Sequence, residues 1–235
     1  MTQRVPGQGP YTPLPRSLVV LAAVIALIEI LLSLSDRGIL LPPGLRMQAF
    51  TYGAFWTGLL HGTYAPAFGG QSLTMFVTHA FLHGGFLHMV MNLAILLAMG
   101  RFVEGAYGPR IILPLFVAGA IGGGAAYGLL TTGPYPMVGA SGAVFAFLGL
   151  WIVWDWRRHR RAGLSTRPIT SRVLVLAGLN VVFFFGLGGM LAWQSHLGGF
   201  IVGTLAGWFL ERRLDARRPP MPPFSRPRQA PRDGE

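Results

Sequence analysis

Apolar residues in this chain come in long runs rather than in short alternating stretches. Six runs stand out: Leu18 to Leu34, Leu87 to Val103, Ile111 to Leu130, Ser141 to Trp156, Val173 to about Leu187, and His196 to Leu210. An α-helix needs ~20 residues to cross the hydrocarbon core of a bilayer, and the shorter runs reach that length with boundaries soft by several residues. The pattern predicts an all-α, polytopic membrane protein of six transmembrane helices. A long first loop, from Ser35 to about Phe86, separates the first two. Such a loop is too long to lack structure, and its Phe50, Tyr52, Phe55, Trp56, Leu59 and Leu60 suit the membrane interface. The first run reads as a retained helix rather than a signal peptide. Ser-Leu-Ser-Asp-Arg follows it, with no small-x-small cleavage site.

Composition agrees. Of 235 residues, 52% are hydrophobic and 11% are charged, against about 25% charged in soluble domains. The absence of cysteine excludes disulfides, thiolate-ligated zinc and a thiol nucleophile. The net charge is +11, and all nineteen basic residues are arginine. Their distribution orients the helices. The N-terminal tail, the second connection, the fourth connection and the C-terminal tail hold two, two, six and seven arginines, seventeen in all. The alternate side holds Arg37 and Arg46 only. The positive-inside bias therefore predicts both termini in the cytoplasm. It also assigns the arginines to lipid headgroups, with no nucleic-acid partner. Residues 1–17 and the Pro/Arg-rich residues 212–235 read as flexible cytoplasmic tails around a membrane-embedded domain, 18–211.

Polar side chains inside apolar runs are functional candidates, because hydrocarbon cannot solvate them. His88 and Asn92 lie near the start of the second run, Ser141 opens the fourth and His196 opens the sixth. With the N-terminus inside, all even-numbered helices start at the outer face, so these four residues are predicted to share one shallow layer. His88 and Asn92, four apart, project from one helix face. Ser141 lies in Gly139-Ala140-Ser141-Gly142 at a loop-to-helix junction, where backbone N–H groups favour an anion. His196 precedes Gly199 and Gly203, a small-xxx-small face that permits close helix approach. A serine and a histidine on two closely packed helices make a nucleophile and base. Singly, each has a blander explanation: a helix N-cap for Ser141, an interfacial histidine for His196, interhelical hydrogen bonding for His88 and Asn92. Together, in one layer, they point to catalysis.

The same residues carry a resemblance. The segment from Thr78 to Asn92, with His79, His83, His88 and Asn92, is similar to the histidine-rich entry to the second span of rhomboid intramembrane serine proteases. Gly100-x-x-x-Glu104-x-x-x-Gly108, Gly139-Ala140-Ser141-Gly142 and His196-Leu197-Gly198-Gly199-x-x-x-Gly203 match three further motifs of that family, in order. The resemblance covers about residues 70 to 210. It implies a six-helix rhomboid-like bundle and a serine endopeptidase that cleaves transmembrane segments of other proteins near the outer face. Ser141 and His196 would be its catalytic dyad, and His88, Asn92 and Ser141 would bind the oxyanion. Gly139, Gly199, Gly203 and Glu104 would be structural. No cofactor and no metal are implied, and His79 and His83 become structural hydrogen-bonders. The partners would be substrate transmembrane segments and the lipid bilayer. The location would be a bacterial inner membrane.

Two positions depart from the family pattern. Gln71 and Ser72 stand roughly where Trp-Arg is common, and Phe145 stands where a tyrosine often packs on the histidine. Gln194 and Ser195 are candidates to admit water. Glu29, about 16 Å into the first span at 1.5 Å per residue, is neutral, interior-facing or nearer the outer surface than the run suggests. Two other functions fit parts of the pattern. A catalytically silent rhomboid-like protein would bind transmembrane clients, and a proton-coupled carrier would use Glu29 and the histidines. Intact Ser141 and His196 disfavour the first, and the gathering of polar groups in one layer disfavours the second.

Overall fold

A computed structural model describes residues 13–39, 41–131 and 133–216. The predicted tails thus lie for the most part, at 1–12 and 217–235, outside the described residues. Among the described residues the protein is all-helical, apart from one isolated bridge between Phe55 and Met137. The helices are α1 (Arg16–Asp36), α2 (Leu45–Gly53), α3 (Thr57–Leu60), α4 (Gln71–Thr78), α5 (Phe86–Tyr107), α6 (Ile112–Leu130), α7 (Ser141–Arg161), α8 (Arg167–Gly186) and α9 (Trp193–Ala216). The six predicted runs fall on α1 and α5 to α9, and α2 to α4 lie in the first loop.

Four of the long helices, α1, α5, α6 with its preceding turn, and α8, are long and apolar enough to cross a membrane. The helices α7 and α9 are long too but end in charge. Asp155, Arg157, Arg158, Arg160 and Arg161 crowd the end of α7, and Glu211, Arg212, Arg213 and Asp215 the end of α9. Helical structure in glycine-rich α6 (Gly119, Gly122, Gly123, Gly124, Gly128) runs against propensity in water. In hydrocarbon the backbone has no other way to satisfy its N–H and C=O groups.

The centre of the bundle is α7. Its Ala143, Ala146, Phe147 and Leu150 are fully buried. It packs against α6 and α9 almost backbone to backbone. A Cβ added at Gly199 would run into the Gly142 carbonyl, and one at Gly203 into the Ala146 carbonyl. Only glycine allows these approaches. Outward faces carry large apolar groups, for example Leu129 and Phe185, 78% and 74% exposed. A water-soluble monomer rarely leaves so much contiguous apolar surface open, whereas lipid accepts it.

The first loop is tied down at two points. Glu29 of α1 is fully buried, and both its carboxylate oxygens accept from Arg46 of α2 at 2.9 Å. Arg46 also donates to Asp36 at 2.6 Å and to the His83 carbonyl at 2.7 Å. This accounts for Glu29: it is interior-facing and paired with a loop cation. Gln71, where the family pattern has Trp-Arg, is buried, donates to the Thr51 carbonyl at 2.6 Å and accepts from the Ala67 N–H at 2.7 Å. Anchoring is therefore kept by an amide. Replacing Arg46 by leucine is expected to lower stability by about 2 kcal/mol. Removing one partner strands a buried charge, but Arg46 is 17% exposed, so water can reach that end of the pair and limit the cost. Thermal unfolding in detergent measures it, and a midpoint equal to wild type would refute the anchoring role.

Candidate active site

The connection from α6 to α7 delivers Ser141, and the first loop holds that connection in place. The Gly139 N–H donates to the His79 carbonyl at 2.9 Å, and the Ala140 N–H donates to His83 Nε2 at 3.4 Å. The bridge between Phe55 and Met137 and a bond from Thr57 to the Gly133 carbonyl, 2.8 Å, fasten the earlier part. Gly139 has φ +125°, a region that disfavours side chains. A Cβ there would also lie 2.8 Å from the His88 ring. The imidazole of His88 thus rests directly against the backbone two residues before Ser141.

Ser141 is the first helical residue of α7 and is half-buried. The N-cap is Ala140, with no side-chain capping bond, so the N-cap explanation of Ser141 is not supported. One turn on, Phe145 stacks on the His196 ring at 4.2 Å between centroids and 7° between planes. One turn beyond His196, Gly199 lies on Gly142. Ser141 and His196 therefore occupy matching turns of two helices in backbone contact. Phe145 fulfils the stacking role open to it without the hydroxyl of a tyrosine.

His88 accepts at Nδ1 from the Gly84 N–H at 3.4 Å, which leaves Nε2 to carry its proton on the side facing Gly139. Asn92 is buried, and one of its two amide hydrogens goes to the His88 carbonyl at 2.9 Å. Glu104 lies near the far end of α5, where its carbonyl accepts from the Gly108 N–H at 2.7 Å. Gly100 lets α1 approach, since a Cβ there would meet Leu18 at 2.7 Å. Ser195 does not fit the water-admitting role. It is buried, with its Oγ wedged between Gly123 and Gly142, and so faces the α6–α7 core.

The buried histidines of the loop are neutral by construction. Burial lowers the His79 pKa to about 4. Burial, with the charge of His88 as a lesser cause, lowers that of His83 to about 3. His79 Nε2 lies 3.3 Å from the Ala120 carbonyl, and His83 Nε2 accepts from Ala140. Both pKa values fall on folding, so protonation favours the unfolded chain. The stabilisation is complete above pH ~6.5, the unfolded value, and is lost as pH falls toward 4 and then 3. Thermal midpoints in detergent are expected to drop across this window. The His79→Gln variant should show a shallower slope, and an identical slope would remove His79 from the account.

One polar residue escaped the sequence reading. Asn180 of α8 meets His196, with Oδ1 2.5 Å from Nδ1. A lone amide in an otherwise apolar span was the signal that marked it. An apolar cavity of about 390 Å³ opens beside the pair, lined by residues of α7, α8 and α9 including Phe145, Asn180, Trp193 and His196.

Comparison with known proteins places the chain in a family. The family model described as Rhomboid domain matches residues 70–213. "Rhomboid-like protease 3" of Toxoplasma gondii is 30% identical over 163 residues, 67% of this chain and 59% of that protein. "Rhomboid protease GluP" of Bacillus subtilis is 32% identical over 132 residues, 55% of this chain and 24% of that protein. "Rhomboid protease GlpG" of Yersinia pestis is 31% identical over 143 residues, 60% of this chain and 49% of that protein. The matches thus span from about a quarter to about three-fifths of these relatives' lengths. All three are named as proteases. With a matched segment covering more than half of the chain and holding every motif that surrounds Ser141 and His196, this integral membrane protein belongs to the rhomboid family.

Proposed function

We propose that the chain is an intramembrane serine endopeptidase that cuts transmembrane segments of other proteins near the outer face of the membrane. The observation that carries this reading is the pairing of α7 and α9. Gly199 on Gly142 and Phe145 on His196 bring a serine and an imidazole to the same end of two touching helices.

Ser141 Oγ attacks the scissile carbonyl while His196 Nε2 takes its proton, and the protonated imidazole then gives that proton to the leaving amine. Water, activated by the same imidazole, hydrolyses the acyl-enzyme. The oxyanion is held by the Ser141 backbone N–H, the second amide hydrogen of Asn92 and the Nε2–H of His88, each donor worth about 3 kcal/mol in the transition state. His88 is exposed, which supports access of water to this layer. The apolar cavity suits a hydrophobic side chain of the substrate segment, and the segment must unwind locally to present a peptide bond. In this reading all six long helices span the membrane. The charged ends of α7 and α9 lie at the cytoplasmic face with both termini, as the arginine bias requires. A bacterial inner membrane fits that orientation.

The test is incubation of the purified protein in detergent with a fluorogenic membrane-segment substrate, together with labelling by a fluorophosphonate. Cleavage and labelling that both vanish in His196→Ala are expected. Cleavage that persists in this variant would reject the site. Binding of segments without any cleavage would favour the client-binding alternative.

A further inference from the structure

Among the described residues, Asn180 is the only side chain that hydrogen-bonds to the His196 ring. Its own orientation is determined by a second contact. The amide nitrogen of Asn180 donates to the Leu176 carbonyl at 2.9 Å, one turn back on α8. A carbonyl cannot donate, so the nitrogen must face Leu176 and the oxygen must face His196. An amide oxygen cannot donate either. The hydrogen in the 2.5 Å contact therefore sits on His196 Nδ1, and the lone pair of the neutral ring is left on Nε2. A chain of two hydrogen bonds, beginning at a backbone carbonyl, selects the tautomer of His196.

We propose that Asn180 is a positioning residue, which holds His196 as the Nδ1–H tautomer and so keeps Nε2 free to take the Ser141 proton. This deepens the protease reading and rests on it for its catalytic consequence. The role is the one a carboxylate plays in a Ser-His-Asp triad, with a difference in charge. A neutral amide fixes the tautomer and the ring plane but supplies no anion to stabilise the imidazolium. Phe145 complements it by clamping the face of the ring while Asn180 holds one edge.

The contact also joins the site to α8. Ile169 is the only buried residue of that helix, which is fastened near its start by an ion pair between Arg172 and Asp155 of α7. Eight residues beyond Arg172 comes Asn180. The tautomer of the base therefore depends on where α8 stands relative to α9.

Asn180→Leu and Asn180→Asp separate this role from packing. Leucine matches the size of asparagine but has no acceptor, while aspartate keeps the acceptor at the same place. Long-range ¹⁵N–¹H correlation spectra of ¹⁵N-histidine-labelled protein, with the His196 signal assigned by its loss in His196→Ala, distinguish the two tautomers. Wild type and Asn180→Asp are expected to show Nδ1–H alone, and Asn180→Leu a mixture. Asn180→Leu should also lose about tenfold or more in kcat with KM within about twofold, and Asn180→Asp should recover most of it. A wild-type spectrum with the proton on Nε2, or an Asn180→Leu enzyme with unchanged tautomer and kcat, would overturn the proposal. The spectra speak even if no substrate is cut, so failure of the protease reading and failure of the Asn180 role are told apart.

Discussion

Ser141→Ala is expected to lower kcat by about 10⁴-fold or more and to abolish fluorophosphonate labelling, while leaving thermal stability within about 1 kcal/mol of wild type. On the proposed mechanism the loss is large because nucleophile and base would act as one unit. Without the hydroxyl, what remains is polarisation of the carbonyl by His88, Asn92 and the backbone N–H, with no covalent intermediate. The fold is spared for a specific reason. Ser141 makes no capping bond at the start of α7, so its removal uncaps nothing. A variant that loses activity and stability together would imply a structural serine. Retained cleavage would imply a different nucleophile.

Gly203→Val is expected to destabilise the protein by more than about 3 kcal/mol, the upper end of what overpacking costs. A Cβ at this position meets the Ala146 carbonyl, part of the α7 backbone, and α7 is packed on its other faces by α5 and α6. No flexible side chain can yield, so α9 must move as a whole and carry His196 with it. Gly203→Ala should already show most of the effect. Gly178→Ala on α8, where a Cβ meets nothing within 4 Å, is the control and should leave the unfolding midpoint in detergent unchanged. Equal midpoints for the two alanine variants would contradict the backbone-to-backbone packing of α7 and α9.

The long helices were legible because a membrane imposes one rule: an apolar run of sufficient length must be helical. All six runs correspond to helices, with α7 and α9 extending past the predicted ends into charged turns, Arg157 to Arg161 and Glu211 to Ala216. The first loop was legible only as something structured. Its helices are short, amphipathic at best, and held by tertiary bonds such as Gln71 to the Thr51 carbonyl, which no local pattern encodes. Motif order and alternating topology brought Ser141, His88, Asn92 and His196 into consideration together. Contacts across helices were not readable. Arg46 meets Glu29 from seventeen positions away, and Asn180 meets His196 from sixteen. Neither spacing corresponds to a helical or strand repeat. Ser195 shows the opposite failure, since it was a candidate to admit water where helical rotation turns its hydroxyl into the core.

The sparse protein contacts of α8 have a thermodynamic corollary. Most of its surface, including Leu174, Val182 and Phe185, touches whatever surrounds the protein. Its resting tilt is therefore set in large part by acyl chains, at fractions of a kcal/mol per Å of thickness mismatch. Through Asn180 that tilt reaches the imidazole. On the proposed roles of His196 and Asn180, the surrounding lipid would act as a rheostat on proton transfer, and chain length would become a variable of the chemistry.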